Sequence, residues 1–262
     1  MKHLILVTIF LLSADFLFAQ QIVINYDESK VPDFTLPDLL TCHDGKKVTT
    51  VKQWEKQRRP ELLEIFSAQM YGRTPDEKIK VTYETLSENP NFLNGKATAK
   101  QVKFIFTNCV QKVEALLLLV LPNHIKGKAP VFVSYNFKGN HTNNADPCIE
   151  YPPSFSLHKT YNHLRLEDAD WERGCQSNRW CYDKIIERGY AIATMFYQDI
   201  YPDKPDMDEF GIVSLFSDYR AGQKSPDEWQ ALGAWAWGSS RIVDYLETQK
   251  RVDIKKIILM GH

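Results

Sequence analysis

The sequence predicts an α/β domain of three layers, in which a mostly parallel central sheet lies between two layers of helices. Short apolar runs rich in β-branched residues alternate with helical patterns along the second half of the 262-residue chain. This alternation is typical of parallel sheets whose two faces are covered by helices. The composition, with 44% hydrophobic and 25% charged residues, is that of a globular domain with enough apolar residues for a core.

Residues 1–19 are predicted to be a secretory signal peptide that precedes a domain spanning residues 20–262. Lys2 gives the segment a basic start, an apolar run follows from residue 4 to 12, and Ala19 supplies a small residue at the cleavage point. The run is short for a membrane span and Asp15 interrupts it. We therefore expect a secreted or periplasmic protein with no stable membrane insertion once the signal is removed.

A helix is predicted between Pro60 and Gly72. Proline suits the first turn of a helix, and glycine is a common stop. Apolar residues recur there at spacings of three and four, which indicates a helix with one face towards the core. These residues are Leu62, Leu63, Phe66 and Met70.

Four strands are predicted before residue 136. Apolar side chains alternate along residues 79–83 and 102–106, and longer apolar runs occupy residues 113–121 and 131–135. A helix is then expected at residues 182–188, a strand at residues 191–197 and a final strand at residues 257–260. Together these elements complete the predicted strand and helix alternation.

A further helix is predicted to start at the capping box Ser225-Pro226-Asp227-Glu228. Its inward stripe is predicted from residues at helical spacing, and its tryptophans are expected to pack against the sheet. The stripe consists of Leu232, Trp235, Ala236, Ser239, Val243 and Leu246, and the tryptophans are Trp229, Trp235 and Trp237.

Two long irregular segments, residues 136–179 and 198–224, interrupt this alternation. Loops of such length in a compact domain are usually functional. Both follow strands whose carboxyl ends are where open α/β sheets bind ligands. The acidic residues that start with Asp199 in the second segment favour a solvated turn, and no metal site is expected from the scattered histidines.

The chain ends in an apolar run followed by Gly261 and His262. A strand that closes on Gly-x is how the G-x-S-x-G elbow delivers a nucleophilic serine. In that arrangement the nucleophile, the acid and the histidine follow one another along the chain, so all three are expected after His262. No catalytic residue is assigned within the sequence, and residues 261–262 are expected to be the start of the elbow.

The loop after the strand at residues 131–135 is a candidate for the oxyanion side of the site. In this class of hydrolase one backbone N–H of the oxyanion hole comes from a turn after an earlier strand. Phe137, Lys138, Gly139 and Asn140, here called the oxyanion-side loop, occupy that position, although an ordinary strand exit would have the same pattern.

Charge and cysteine content limit the remaining possibilities. The formal net charge is -1, so nothing indicates binding to nucleic acid. Among five cysteines, Cys175 and Cys181 are close enough in sequence for a disulfide in an exported protein, but unpaired buried thiols fit equally well.

Several segments, taken in order, resemble the glucuronoyl esterases of carbohydrate esterase family fifteen. Most specific are the tryptophan-rich segments around residues 227–238, and the last segment looks like the opening of the family's G-[CH]-S-R-x-G-K elbow. The segments are Arg59–Leu63, Met70–Pro75, Asn136–His141, Arg179–Trp180, Ile185–Ala191, Asp227–Trp229, Gly233–Gly238 and Met260–His262.

The resemblance implies an α/β-hydrolase that ends here just after its elbow strand. It implies a serine nucleophile, no metal or organic cofactor, and cleavage of the ester between (4-O-methyl)glucuronic acid of xylan and lignin alcohols. The substrate would be a polysaccharide and the complete protein a monomer. The 262-residue chain itself is expected to be inactive and poorly soluble. Two alternatives remain: an acetylxylan or other carbohydrate esterase, and a catalytically dead carbohydrate-binding relative.

Overall fold

The computed structural model of the chain describes residues 25–154, 172–203, 208–216, 227–229 and 231–261. The predicted signal peptide, Ser225 and Pro226 of the predicted capping box, and His262 lie outside the described residues. Residues 227–229 are described and are not helical, so the predicted helix start at the capping box is wrong. Within them, no helix is both long and apolar enough to cross a membrane.

The described residues contain six strands, which form one mixed sheet. They are β1 Lys80–Phe92, β2 Ala97–Thr107, β3 Lys112–Pro122, β4 Ala129–Asn136, β5 Ala191–Phe196 and β6 Val252–Leu259. Their order across the sheet is β1-β2-β3-β5-β4-β6. The first three strands form an antiparallel meander that joins β5, also antiparallel, whereas β5, β4 and β6 are parallel. The predicted parallel order therefore holds for the half of the sheet that carries the candidate site.

The described helices are α1 Val51–Gln53, α2 Arg59–Phe66, α3 Asn140–Asn143, α4 Ser177–Trp180, α5 Tyr182–Glu187 and α6 Ala231–Glu247. Helices α5 and α6 cover opposite faces of the sheet. The π-helical turns Trp54–Arg58 and Ser67–Tyr71 continue α1 and α2. Short 3-10 turns occur at Glu28–Lys30, Tyr197–Asp199, Asp208–Phe210 and Ile212–Leu215.

Strand β3 shows why the sheet is covered on both faces. Successive side chains of a strand point to opposite faces, so an uninterrupted apolar strand needs two cores. Leu117 and Leu119 pack in the cluster that contains Ile242 of α6. Leu118 belongs to a second cluster, which contains Ile186 of α5. The helix–sheet–helix architecture is that of an α/β domain, as predicted.

The predicted helix after Pro60 forms, but its apolar stripe does not face the core. Leu63, Phe66 and Met70 are 50%, 45% and 56% exposed, so the predicted burial is wrong. Polar contacts hold the helix at its ends. At the amino end, the buried Arg58 donates through Nε to the carbonyl oxygen of Leu39, at 2.9 Å. Spacing predicted the helix correctly but could not tell what the stripe packs against.

At the carboxyl end of this helical segment, Arg73 ties α2 to a distant part of the chain. Its guanidinium donates to Glu64 of α2 and to Asp227, and its backbone N–H donates to the carbonyl oxygen of Asp227 at 2.9 Å. Solvent partly screens these exposed ion pairs, so they stabilise the contact only weakly. The backbone hydrogen bond fixes the position of Arg73 relative to Asp227.

Candidate active site

A cavity of about 480 Å³ opens at the carboxyl ends of β4 and β6. This is the edge at which parallel α/β sheets bind ligands. The described lining residues come from the β4 exit, α3, α4, the turn after β5, α6 and the β6 exit. They are Ser134, Tyr135, Phe137, Lys138, Thr142, Asn143, Gln176, Arg179, Trp180, Tyr197, Leu232, Trp235, Ser239, Leu259, Met260 and Gly261.

Parallel pairing brings the two predicted parts of the site together. β4 and β6 align Val133 with Leu259, and the backbone N–H of Met260 donates to the carbonyl oxygen of Val133 at 2.9 Å. The start of the predicted elbow, Gly261, therefore lies beside the exit of β4. Phe137 and Lys138 of the oxyanion-side loop line the same cavity.

The other two residues of the oxyanion-side loop, Gly139 and Asn140, hold the loop in place by their backbone conformation and packing. Gly139 has a φ of +88°, and a Cβ added there would lie 2.7 Å from Cγ of Pro152 and 2.9 Å from the ring of His141. Glycine is therefore required at this position by both backbone conformation and packing. Asn140 begins α3, whose residues are all buried.

Helix α3 is polar but well bonded. The backbone N–H and hydroxyl of Thr142 both donate to the carbonyl oxygen of Gly139, at 3.1 and 2.8 Å. Asn143 donates through Nδ2 to the Tyr182 hydroxyl at 3.2 Å. Burial raises the pKa of Tyr182 to about 12, so this hydroxyl stays protonated and neutral at physiological pH.

An aromatic ledge, formed by Phe137, Tyr197 and Trp235, borders the cavity. The ring centroids of Phe137 and Tyr197 are 5.3 Å apart, and those of Tyr197 and Trp235 are 5.1 Å apart. Nε1 of Trp235 donates to the carbonyl oxygen of Tyr201 at 3.1 Å, which fixes the indole. Apolar ring faces of this kind can pack against a sugar ring or an aromatic alcohol.

The ledge was missed in the sequence because Trp235 was assigned to the sheet-facing stripe of its helix. Leu232, Trp235 and Ser239 of that predicted stripe line the cavity, although Trp235 also packs against the core cluster that covers the sheet, as predicted. The buried residues of α6 are Ala234, Gly238, Ile242, Tyr245 and Leu246. Trp229 and Trp237 do pack as expected, with Trp237 lying 5.7 Å from the ring of Phe106.

Tyr135 links β4 to α6 below the cavity. Its hydroxyl donates to the carbonyl oxygen of Trp235 at 2.9 Å, and a Cβ at Gly238 would lie only 2.5 Å from that hydroxyl. The missing side chain at Gly238 thus lets the strand and helix approach. Because burial raises the pKa of Tyr135 well above its usual range, its role is that of a neutral structural donor.

The described lining of the cavity carries two positively charged side chains and no negatively charged one. The two are Lys138 and Arg179. Such a site favours a ligand that carries or develops negative charge. In the described part of the chain, no group of three or more His, Cys, Asp or Glu side chains is placed to hold a metal ion.

Asp199, expected in a solvated turn, is buried, so that expectation is wrong for this residue. Its Oδ1 accepts from the hydroxyl of Ser154 at 2.5 Å and from the Ser154 backbone N–H at 3.2 Å. Its Oδ2 accepts from the backbone N–H of Leu116 at 3.2 Å. Removal from water raises the pKa of Asp199 to about 7, although these hydrogen bonds act in the opposite direction.

The predicted disulfide between Cys175 and Cys181 is not formed; both are free thiols. Cys181 lies at the junction of α4 and α5 in the left-handed conformation, and its thiol donates to the carbonyl oxygen of Asn178 at 2.9 Å. The sulfur of Cys175 instead accepts from Nε2 of Gln176 at 3.9 Å. The alternative was unpaired buried cysteines; the absence of the disulfide is confirmed, but both side chains are half-buried and not buried.

Comparison with known proteins gives a consistent set of relatives. No protein-family model matches the chain. It is 37% identical over 248 residues to carbohydrate esterase MZ0003 of an unknown prokaryotic organism, a match that covers 94% of this chain and 56% of the relative.

Solved structures give the same result. A glucuronoyl esterase from Solibacter usitatus is 38% identical with a TM-score of 0.80, over 90% of this chain and 59% of that one. A promiscuous CE15 esterase from a marine bacterial metagenome is 36% identical with a TM-score of 0.74, over 91% and 59% of the two chains. The chain thus spans more than half, but less than two thirds, of the length of these relatives.

Proposed function

We propose that this chain, which is related to the glucuronoyl esterases of carbohydrate esterase family fifteen and shares their α/β-hydrolase fold, forms the oxyanion side of a serine ester hydrolase active site. One observation carries the proposal. The end of β6, where an elbow would begin, and the oxyanion-side loop after β4 line a single cavity. A nucleophile elbow and an oxyanion loop need this adjacency to act on one carbonyl group.

In this proposal the oxyanion-side loop contributes backbone N–H groups towards the oxygen that becomes negative during acyl transfer. Lys138 and Arg179 make the local potential positive, which stabilises that oxygen and the carboxylate released by hydrolysis. The aromatic ledge of Phe137, Tyr197 and Trp235 offers packing surface for the ring of the sugar or of the leaving alcohol.

The substrate that we propose is an ester of (4-O-methyl)glucuronic acid, as found between xylan and lignin. Two features support this choice: the named relatives are glucuronoyl and carbohydrate esterases, and the cavity combines cationic with aromatic residues. Hydrolysis of such an ester releases a uronate anion. The two positive side chains of the described lining are complementary to that product and to the charge of the transition state.

The serine, its acid and its histidine are proposed to lie outside residues 1–262, and no cofactor is proposed. Comparison of two proteins tests this: the 262-residue chain and the complete gene product, assayed on the same methyl glucuronate ester. We expect turnover by the complete product only. Turnover by the 262-residue chain would show that its nucleophile lies within it.

Export and a monomeric complete protein are also proposed, on the signal-like pattern of residues 1–19 and on the resemblance. Mass spectrometry of the protein recovered from the culture medium or periplasm tests the first point. A mature amino terminus at residue 20 is expected. Light scattering of the complete protein tests the second.

Substrate choice is tested with the complete gene product on two esters at equal concentration. We expect hydrolysis of the methyl ester of glucuronic acid and little release of acetate from acetylated xylan. The reverse preference would assign the protein to the acetylxylan esterases. Binding to glucuronoxylan with turnover of neither ester would identify a catalytically inactive binding relative.

Arg179→Gln tests the role of positive charge in the cavity. Arg179 is exposed and lines the cavity. Its loss is expected to raise the inhibition constant of free glucuronate about three- to tenfold, because about one charge-assisted hydrogen bond to the carboxylate is lost. Arg188→Gln is the matched control, because this exposed arginine donates to the carbonyl oxygen of Lys184 at the end of α5 and is absent from the described cavity lining. Equal inhibition constants for both variants would remove Arg179 from the site.

A further inference from the structure

We propose that Asn140 is a positioning residue that fixes the first three residues of the oxyanion-side loop against the three strands beside the cavity. The catalytic consequence of this inference rests on the proposed function. Its structural content, the immobilisation of the loop, does not.

The Asn140 side chain bonds to three neighbouring strands. It is 1% exposed. Its Nδ2 donates to the carbonyl oxygen of Leu116 on β3, at 2.9 Å. Its Oδ1 accepts from Nδ2 of Asn136 on β4 at 2.7 Å and from the hydroxyl of Thr194 on β5 at 2.9 Å. One residue outside the sheet therefore joins strands β3, β5 and β4, which lie side by side.

These bonds occur where the backbone ladder stops. The pairing of β3 with β5 begins at Leu117, so the peptide groups of Leu116 lie just beyond it. Side chains replace the missing strand: Asn140 binds the Leu116 carbonyl oxygen and Asp199 binds the Leu116 N–H. A buried peptide group without a partner costs about 1–3 kcal/mol, so this position places strong demands on the side chain.

Asparagine meets those demands and its nearest substitutes do not. The site requires a donor towards Leu116 and an acceptor that serves both Asn136 and Thr194, and an amide supplies both at once. Aspartate has the same shape, but it can donate to the Leu116 carbonyl oxygen only while its carboxyl group is protonated; once ionised it has no donor and faces that oxygen. Leucine or alanine would leave the Leu116 carbonyl oxygen and the Asn136 Nδ2 without this partner. Of its described contacts, the Thr194 hydroxyl would keep only the one with the Tyr182 hydroxyl, at 3.4 Å.

The same bonds clamp the loop at both ends. Asn136 precedes the segment Phe137–Gly139 and Asn140 follows it, and the two asparagines are bonded to each other. Thr142 closes the turn by donating twice to the Gly139 carbonyl oxygen. Three residues between fixed ends keep their N–H groups in one orientation. Such preorganisation is what makes oxyanion donors effective.

The structural part is tested by hydrogen–deuterium exchange on the complete gene product, with Asn140→Asp and Thr194→Val as variants. Exchange across residues 139–145 is expected to rise about tenfold or more in Asn140→Asp, and less in Thr194→Val, which loses one of the three bonds. Thr98→Val is the matched control. Thr98 is buried and its hydroxyl donates to Oδ1 of Asn123 at 2.6 Å, so it loses the same type of bond near the opposite end of β3.

The catalytic part is tested by kinetics on the methyl glucuronate ester. In Asn140→Asp we expect kcat to fall about 10- to 100-fold with KM changed less than about threefold, because donors are misplaced without loss of the substrate-binding surface. Thr98→Val is expected to keep its kcat. A variant of Asn140 that is less stable, but has wild-type exchange in residues 139–145 and wild-type kcat, would overturn the inference.

Failure of the proposed function can be distinguished from failure of the inference about Asn140. A wild-type protein inactive on glucuronate esters refutes the proposed function, while the exchange data still decide whether Asn140 holds the loop. If Asn140→Asp does not fold, Thr194→Val carries the test, because it retains the bonds from Asn136 and to Leu116. Wild-type exchange in that variant would then overturn the inference.

Discussion

The exits of β4 and β6 lie side by side at the same edge of the sheet, but they are held in very different ways. The β4 exit runs through the oxyanion-side loop into α3, whose residues are all buried. At the β6 exit, Leu259 is 73% exposed and a Cβ added at Gly261 would meet nothing within 4 Å. The first exit is enclosed by packing, whereas the second is not enclosed by the described residues.

Sheet position explains the contrast. β4 pairs with β5 on one side and β6 on the other, so its exit is flanked by strands and by the side chains that continue them. Among the described strands, β6 pairs only with β4. The β4 exit is therefore held by packing and by strands on both sides, whereas the β6 exit is held by the backbone bonds of a single described strand pair.

The largest effect is expected from Gly139→Ala, which would break the enclosed exit. The positive φ and the close approach of Pro152 and His141 predict a loss of about 2–4 kcal/mol in the free energy of unfolding. Gly45→Ala is the matched control, since Gly45 has a φ of +84° but no atom within 4 Å of an added Cβ, and about 1 kcal/mol is expected there. Equal losses in urea denaturation would mean that the β4 exit is not tightly packed.

The next effect concerns Asp199, which completes the ladder beside Asn140. Because burial raises its pKa from 3.8 to about 7 in the folded state, the folded protein binds the proton more tightly than the unfolded chain. The stabilisation that this gives is complete below about pH 4 and is lost as the pH rises through about 7. In Asp199→Asn this pH-dependent loss of stability is expected to disappear. The loss in the wild type is on the order of 2–4 kcal/mol in the free energy of unfolding at most.

Melting temperatures between about pH 5 and about pH 8 measure this effect. Glu114, Glu209 and Lys112 line a cavity of about 380 Å³ together with Asp199. These three charged side chains are unchanged in Asp199→Asn, so they contribute equally to the pH profiles of the variant and the wild type. Asp183→Asn, which removes an exposed carboxylate of α5, is the control and should keep the wild-type pH profile. A wild-type profile in Asp199→Asn would show that the buried carboxyl group is not the source.

The smallest effect on stability is expected at the open exit. Leu259→Lys should change the free energy of unfolding by less than about 0.5 kcal/mol, but it should reduce self-association of the 262-residue chain, because charge on an edge strand opposes pairing with another chain. Val110→Lys, at a residue that is 79% exposed in the turn between β2 and β3, serves as the control. Light scattering that is equal for both variants would show that association does not use β6.

Local sequence patterns predicted most strands well. The apolar runs at residues 113–121 and 131–135 became β3 and β4 with small changes at their ends, and the predicted strand at residues 191–197 became β5. A strand buried on both faces has to be apolar at nearly every position, and this constraint can be read directly from the chain.

The faces of helices were predicted less well. The stripe of α6 assigned to the sheet includes Leu232, which is 53% exposed and lines the cavity, and Phe66 of α2 is 45% exposed. Apolar spacing gives the period of a helix, but an apolar residue can face a core, a cavity or solvent. Only the arrangement of neighbouring elements distinguishes these environments.

The sequence by itself determined the α/β class, the β4 and β6 strands and the position of the oxyanion-side loop, because period and turn residues are local properties of a chain. Only the tertiary structure decided that Asn140, Thr194 and Leu116 meet, that Asp199 is buried, and that Cys175 and Cys181 remain apart. The contacts of Asn140 and Asp199 depend on where β5 leaves β3 and on which groups then lie opposite the unpaired peptide groups of Leu116. Such contacts join residues far apart in the chain, and no local pattern records them.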